Sequence, residues 1–359
     1  MNQSKIRDMK KNICGIQQVG IGLKDAKEAW KWYRIAFGMD INVFEDTATA
    51  KLMLPYTNGK QCNRYAALAM NMEGGGGIEL WQHTDMIPKP PVFDIRLGDC
   101  GILICKMKCR DIKKAYNEHQ TRGIEITGAL SKDPRGNLHY YLQDPFNNIF
   151  EIVEDQNYYK KQKSLTGGVA GTVIGVSDID ESKKVYADIL EYDEVIYDQT
   201  GHFEDLAELP GGNEKYRRTL LKHKPRTGPF SKLLGPTQVE LIQPVERHPR
   251  KIYQDRIWGE LGYIHLCFDI IGMDLLKKEC EKKGFPFTVD SANSFDMGAA
   301  AGHFSYISDP DGTPIEFVET HKLPVIKKLG WYINLKGRNP EKSLPHWMIN
   351  ALKFSRISD

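Results

Sequence analysis

The chain has 359 residues, 41% of them apolar and 27% charged, with a net charge of +2. Those values describe a globular protein with more than one core, not a disordered, fibrous or disulfide-stapled chain. The near-neutral balance argues against a dedicated nucleic-acid binder, no apolar run approaches a membrane span, and no signal-peptide core follows Met1.

From Ile16, IQQVGIGL reads as a strand ending at Leu23. Asp25 then stands at a helix N-cap with Glu28 three positions on, as in a capping box. Ala29, Trp30, Tyr33 and Phe37 follow helical spacing until Gly38 closes the helix. Strand-like runs follow, ending in GGGGIELWQ. GILICKMKCRDIKKAYNEHQTRGIEI opens a second unit at Gly101, which ends in a DPFNN turn and FEIVE. YYKKQKSLTGG, rich in Lys and Gly, reads as a linker.

From Val169 the first plan returns, with Asp178 at the cap, Glu181, Val185 and Ile189 in helical phase, and GPTQVELIQ at the end. GYIHLCFDIIGMDLLKKECEKKGFPF, from Gly262, repeats the second plan and ends in DPDGT and IEFVE. Each unit is strand–helix–three strands, in the order one, two, one, two. Residues 14–157 therefore form a first half and residues 167–321 a second. The extension 322–359, with Trp331, Tyr332 and Trp347, is expected to pack helices or an extra strand against the outside.

VGIGLKDAKEAWKWY, GIEL, GYIHLCFD and DPDGTPIEFVE, in that order and twice over, resemble the vicinal-oxygen-chelate superfamily. That superfamily includes glyoxalase I, methylmalonyl-CoA epimerase, extradiol dioxygenases and the bleomycin-resistance binding proteins. The resemblance spans residues 14–321 and implies an α+β fold of four βαβββ units paired into two open, cup-shaped β-barrels. It further implies a divalent metal held by inward side chains from four strands of a cup. The matching positions are Gln18 and Glu79 in unit one, Ile104 and Glu151 in unit two, Gly171 and Glu240 in unit three, and His265 and Glu316 in unit four. Strand alternation agrees for Glu316, which points opposite to Ile315 and Phe317.

Ile104 and Gly171 cannot ligate a metal through their side chains. If neighbouring units pair, as in the dioxygenases, one cup holds Glu240, His265 and Glu316. That set is one histidine short of the two needed by an oxygen-activating iron. If one pairs with four and two with three, one cup collects Gln18, Glu79, His265 and Glu316, and the other keeps only Glu151 and Glu240. The crossed pairing is preferred, because it explains which positions survive. Its complete set resembles that of animal-type glyoxalase I and implies one divalent ion: zinc, nickel, cobalt or manganese.

Each residue also has a plainer reading. Gln18 is an ordinary polar strand residue, His265 a hydrogen-bonded core histidine, and Glu151 and Glu240 partners of basic residues. The functional expectation is a metal-dependent isomerase or lyase acting on a carbon next to a carbonyl through a metal-stabilised enediolate. Its substrate would be a small molecule with adjacent oxygens, with Glu316 as first candidate base and Glu79 as second. One alternative is a metal-free binder of the bleomycin-resistance type, with Glu79 and Glu316 paired to Arg or Lys. Another is an extradiol dioxygenase with a second histidine ligand such as His303. Alternation puts His303 and Ser305 on one strand face and Phe304 and Tyr306 on the other. LLKHKPRTGPF with Arg218 either faces an anionic substrate or is a solvated loop, and the long GHFEDLAELPGGNEKYRR stretch leaves room for a bulky substrate. Seven scattered cysteines without a CxxC pair point to reduced thiols packed as small core residues, hence to the cytoplasm. A fused chain completes its own cups, so a monomer without nucleic-acid or membrane partners is expected.

Overall fold

The computed structural model describes residues 11–292, 295–297, 300–326, 331–335 and 338–357. Unit one comprises β1 (Asn12–Gly22), α1 (Ala26–Phe37), β2 (Ile41–Thr49), β3 (Asn63–Met70) and β4 (Gly77–His83). Unit two follows as β5 (Gly101–Cys109), α2 (Ile112–Thr121), β6 (Ile126–Lys132), β7 (Leu138–Gln143) and β8 (Ile149–Glu154). Unit three is β9 (Thr166–Gly175), α3 (Ile179–Tyr186), β10 (Glu194–Gly201), β11 (Tyr216–Lys222), α4 (Ser231–Leu234) and β12 (Gln238–Pro244). Unit four is β13 (Gly262–Ile271), α5 (Met273–Lys282), β14 (Val289–Asp290), β15 (Phe295–Met297), β16 (Ala300–Ser308) and β17 (Pro314–Ile326). The tail adds β18 (Trp331–Asn334) and α6 (His346–Asn350).

The helix signals act as their chemistry requires. Asp25 accepts from the backbone N–H groups of Lys27 and Glu28, and Gly38 ends α1 at φ 63°, where a side chain would be strained. Asp178 caps α3 in the same way. The α5 start has no side-chain cap of its own, and Glu319 from β17 accepts from Gly272 N at 2.8 Å instead. The aspartates of the two DP turns are buried anchors. Each accepts backbone N–H groups of its own turn, and Asp144 also takes the Tyr33 hydroxyl at 2.6 Å and Asp309 the Tyr186 hydroxyl at 2.9 Å. The repeated phrase thus ties the helix of one unit to the turn of the next.

The described strands form two curled sheets. One, of ten strands, runs β14-β16-β17-β13-β1-β4-β3-β2, with β15 beside β16 and β18 beside β17; the other, of eight, runs β10-β11-β12-β9-β5-β8-β7-β6. Units one and four share the first sheet across an antiparallel β1–β13 seam, and units two and three share the second across β5–β9. The crossed pairing is what the chain adopts, and each sheet draws one unit from each half. One continuous core behind the sheets takes side chains from all four units, including Tyr33, Phe37, Phe150, Val185, Phe268 and Phe317. Burying each such side chain contributes roughly 1.5–3 kcal/mol. In the tail, β18 extends the first sheet as expected. Leu344, Ile349, Ala351 and Leu352 pack on Ile41, Leu68 and Met70, and Trp347 is exposed. The side chains of Trp331 and Tyr332 lie outside the described residues.

Candidate active site

Four adjacent strands of the ten-stranded sheet bring the complete residue set together. In the β1–β13 ladder Gly20 faces His265, and in the parallel β1–β4 ladder the same glycine faces Glu79. Glu316 lies beside Cys267 across β13–β17. Ile315 and Phe317 are fully buried in the core behind, so Glu316 is left on the cup face. His265 Nε2 lies 3.0 Å from Glu79 Oε2 and 3.3 Å from Glu316 Oε2. The Gln18 amide donates to both carboxylates at 3.4 Å. Glu79, His265 and Glu316 present ligand atoms within 4.8 Å of one another.

Two atoms of this cluster are left over. Neither carboxylate contact of His265 Nε2 has hydrogen-bond geometry, and both Nε2 and Gln18 Oε1 are buried without a hydrogen-bond partner. These are the imidazole and amide atoms that would ligate a cation. With two carboxylates they form a charge-balanced donor set for a divalent ion, so the residues present fit one. Tyr306 Oη lies 3.2 Å from His265 Nδ1, and the Trp258 ring stacks on the imidazole at 5.8 Å between centroids.

The electrostatics follow from burial. Burial pushes Glu316 up to about 7, against the pull of His265. For His265, burial opposes the charged ring, but Glu316 and Glu79 outweigh it and raise its pKa.

The cluster lines a cavity of about 550 Å³. Phe44, Met53, Trp81, Trp258, Phe304 and Tyr306 wall it, as do Leu68, Met70, Phe230, Leu233, Leu234 and, from the tail, Leu352. Arg64 and Asp46, paired at 3.2 Å, add charge to an otherwise mainly apolar lining.

The eight-stranded sheet answers each feature differently. Glu151 and Glu240 hold the positions of Glu316 and Glu79, but Lys106, in the register place of Cys267, sets its Nζ 2.5 Å from Glu151 and 2.7 Å from Glu240. Arg218, in the place of Ala66, bonds Glu240 and Asp205. Tyr197, in the place of Phe44, donates to Glu240 at 2.8 Å, and His139 Nδ1 lies 2.9 Å from Glu151. A side chain at Gly171, the twin of Gln18, has no room, because a Cβ would lie 2.0 Å from Gln238 O. Burial raises both carboxyls, yet Lys106 and His139 bring Glu151 down to about 2, and Arg218 and Lys106 hold Glu240 well below its usual range. This cup carries its cations internally.

Three expectations are corrected. Arg218 faces no open substrate site but is buried in this ion network. In LLKHKPRTGPF, His223 bonds Thr237 and Arg226 bonds Glu191, and the residue reaching the cavity is Phe230. GHFEDLAELPGGNEKYRR does not widen the site. Leu206 and Leu209 pack with Ile104, Tyr141 and Val173, and Asp205 pairs with Arg218, which fills the part of the second cup over its ion network. His303 binds Asp290 at 2.6 Å, on the face away from Tyr306, so it supplies no second imidazole to the cluster. Sequence reasoning passed over Gly20, Lys106, Trp258 and Asp269. Aligning GILICKMK with GYIHLCFD would have exposed Lys106 and Asp269, whereas Trp258 lies between elements with no period to place it.

The family model of the Glyoxalase/Bleomycin resistance protein/Dioxygenase superfamily matches residues 15–152. In structure the chain is similar to glyoxalase I from Zea mays, with TM-score 0.55 and 14% identity, over 86% of this chain and 92% of that one. It is equally similar to a candidate dioxygenase from Bacillus subtilis, with TM-score 0.55 and 13% identity, over 86% of each chain. At these identities the likeness is one of fold. No curated protein matches the sequence. All seven cysteines are free and buried, and among the described residues no helix is long and apolar enough to cross a membrane.

Proposed function

For a chain that belongs to the glyoxalase/bleomycin resistance/dioxygenase superfamily, we propose a metal-dependent lyase or isomerase that moves a proton at a carbon next to a carbonyl. Its substrate is a largely apolar small molecule with adjacent oxygens. The observation that carries this reading is the pair of buried atoms without hydrogen-bond partners, His265 Nε2 and Gln18 Oε1, beside two carboxylates in one mainly apolar cavity. Gln18, Glu79, His265 and Glu316 would hold the ion. Zinc, nickel, cobalt and manganese all suit that donor set. When bound, such an ion polarises a substrate carbonyl and makes the neighbouring C–H more acidic.

The chain's own residues do the rest. Glu316 removes the proton, as a carboxylate on the cup face that borders the cavity where the substrate would sit. Glu79, three strands away across the cluster, delivers a proton to the opposite side of the reacting carbon. The tryptophan and phenylalanine walls exclude water and hold the apolar part of the substrate. The metal-free alternative expected Lys or Arg against Glu79 and Glu316. The partners described for these two are Gln18, His265, Cys267 and Tyr306, and the Lys and Arg pairing occurs instead at Glu151 and Glu240. Ring cleavage is disfavoured because the cluster holds one imidazole.

We further place the protein in a reducing compartment such as the cytoplasm, which suits seven buried free thiols, and as a monomer, since one chain builds the whole cavity. The halves 14–157 and 167–321 stand as the duplicated units, with 322–359 as the extension. The test is proton exchange. Metal-loaded protein is incubated with a panel of aryl α-hydroxyketones in D₂O, and the signal of the proton next to the carbonyl is followed by NMR. Exchange that chelator abolishes supports the proposal. Absence of exchange across the panel in protein shown to hold its metal counts against it.

A further inference from the structure

On β13 the cup face is built by alternate residues, His265, Cys267 and then Asp269. Cys267 lies beside Glu316 and Asp269 beside Val318, so Asp269 sits one step farther along the same face. It lines the same cavity as Glu79 and Glu316 and is only 2% exposed. Its contacts are weak. Oδ1 accepts from Gln17 Nε2 at 3.5 Å, the Cys14 thiol interacts with the carboxyl, and Oδ2 has no partner among the described residues. A buried carboxylate oxygen left unsatisfied is costly unless something else fills its place. The twin position in the other cup is Lys108, whose ammonium is used by Asn157 O at 2.7 Å. The two cups therefore diverge here as they do at the cluster, and only Asp269 keeps an unused oxygen.

We propose that the Asp269 carboxyl is a second anchoring point of the cavity, accepting a hydrogen bond from a substrate hydroxyl two strand residues, about 7 Å, beyond the Glu316 end of the cluster. The proposal rests on the metal-dependent reading above and narrows it. The substrate carries adjacent oxygens at one end, an apolar middle, and a hydroxyl at the other end. Burial pushes Asp269 up to about 7, so near neutrality the group takes such a hydroxyl without holding a full buried charge. Val318, its register partner, and Phe304 beyond that flank it on the cup face with apolar side chains.

Benzohydroxamate and 4-hydroxybenzohydroxamate test this directly. Both present adjacent chelating oxygens, and they differ only in a para hydroxyl pointing away from them. Their affinities for zinc-loaded full-length protein are measured by calorimetry in wild type, Asp269→Leu and Asp269→Asn, with metal content checked in each. Wild type should bind the hydroxylated probe about tenfold more tightly, the contribution of one hydrogen bond to a carboxylate. Asp269→Leu should equalise the two while leaving benzohydroxamate affinity and metal content unchanged. If that variant does not fold, Asp269→Asn carries the test and should cut the ratio at least to about threefold. A wild-type ratio near one, or a ratio that survives substitution, overturns the proposal while leaving the metal reading intact. Failure of both probes to bind, or of zinc to load, overturns the two together.

Discussion

A Cβ on Gly20 would lie 2.6 Å from Nε2 of His265, its partner across the β1–β13 seam. The corresponding ladder pair in the other sheet is Val173 and Ile104. One cup makes room for an imidazole by giving up a side chain, and the other packs two branched aliphatics. Gly20→Ala should therefore push His265 out of line. Metal affinity should drop at least tenfold while overpacking costs about 1–3 kcal/mol of stability. Equilibrium dialysis with zinc and a denaturant titration measure the two effects separately.

Lys106 is the second cup's counterpart of a bound cation. Replacing it with Met leaves Glu151 and Glu240 buried against each other with Arg218 and His139 alone to balance them. Breaking one member out of a buried ion network costs about 3–5 kcal/mol. Lys106→Met should lose that much in urea denaturation, whereas metal content of the first cup should not change.

Glu316 and His265 make the metal-free protein sensitive to pH. Glu316 has a folded pKa near 7 against 4.5 for the ordinary group. Between those values the folded state binds more protons than the unfolded one, so stability falls as pH rises. His265, also raised, acts in the same sense: its contribution is present below 6.5 and is lost as pH climbs through the folded value. Chelator-treated protein should then be more stable at about pH 5 than at about pH 8, with Glu316 alone supplying on the order of 3 kcal/mol. Added divalent ion should raise Tm more at the higher pH, because protons and metal compete for the same atoms. At lower pH the second cup takes over. Glu151, held down to about 2, loses its contribution as pH falls below 4.5.

Exchange of the proton next to a carbonyl should depend on Glu316 more than on any other carboxylate. Glu316→Gln keeps shape and hydrogen bonding and should slow exchange by about 10²–10⁴-fold, the usual worth of a positioned base. Glu151→Gln, in the twin position, should leave exchange unchanged per folded molecule. NMR exchange rates normalised to metal content distinguish these outcomes.

The crossed pairing was legible because ligand types survive in units one and four and are lost at Ile104 and Gly171. The helices were legible from Asp25, Asp178 and Gly38. The second cup's interior was not. Lys106 alternates with apolar residues in CKMKC, a pattern that hides a cation among core positions. Arg217 and Arg218 are adjacent, and alternation requires one inside and one outside without saying which. Arg217 turns out to pair with Asp180 and Asp198 at the surface, and Arg218 with Glu240 inside. Phe230 and Trp258 come from segments with no strand or helix period, so only the tertiary fold places them on the cavity.

The most direct test is the metal content of protein purified without chelators, wild type beside His265→Ala. The expected result is one divalent equivalent per wild-type chain and a large loss in the variant, with both proteins folded by circular dichroism. No bound metal in the wild type after zinc, nickel, cobalt and manganese have been supplied, or an equal content in His265→Ala, would contradict the account.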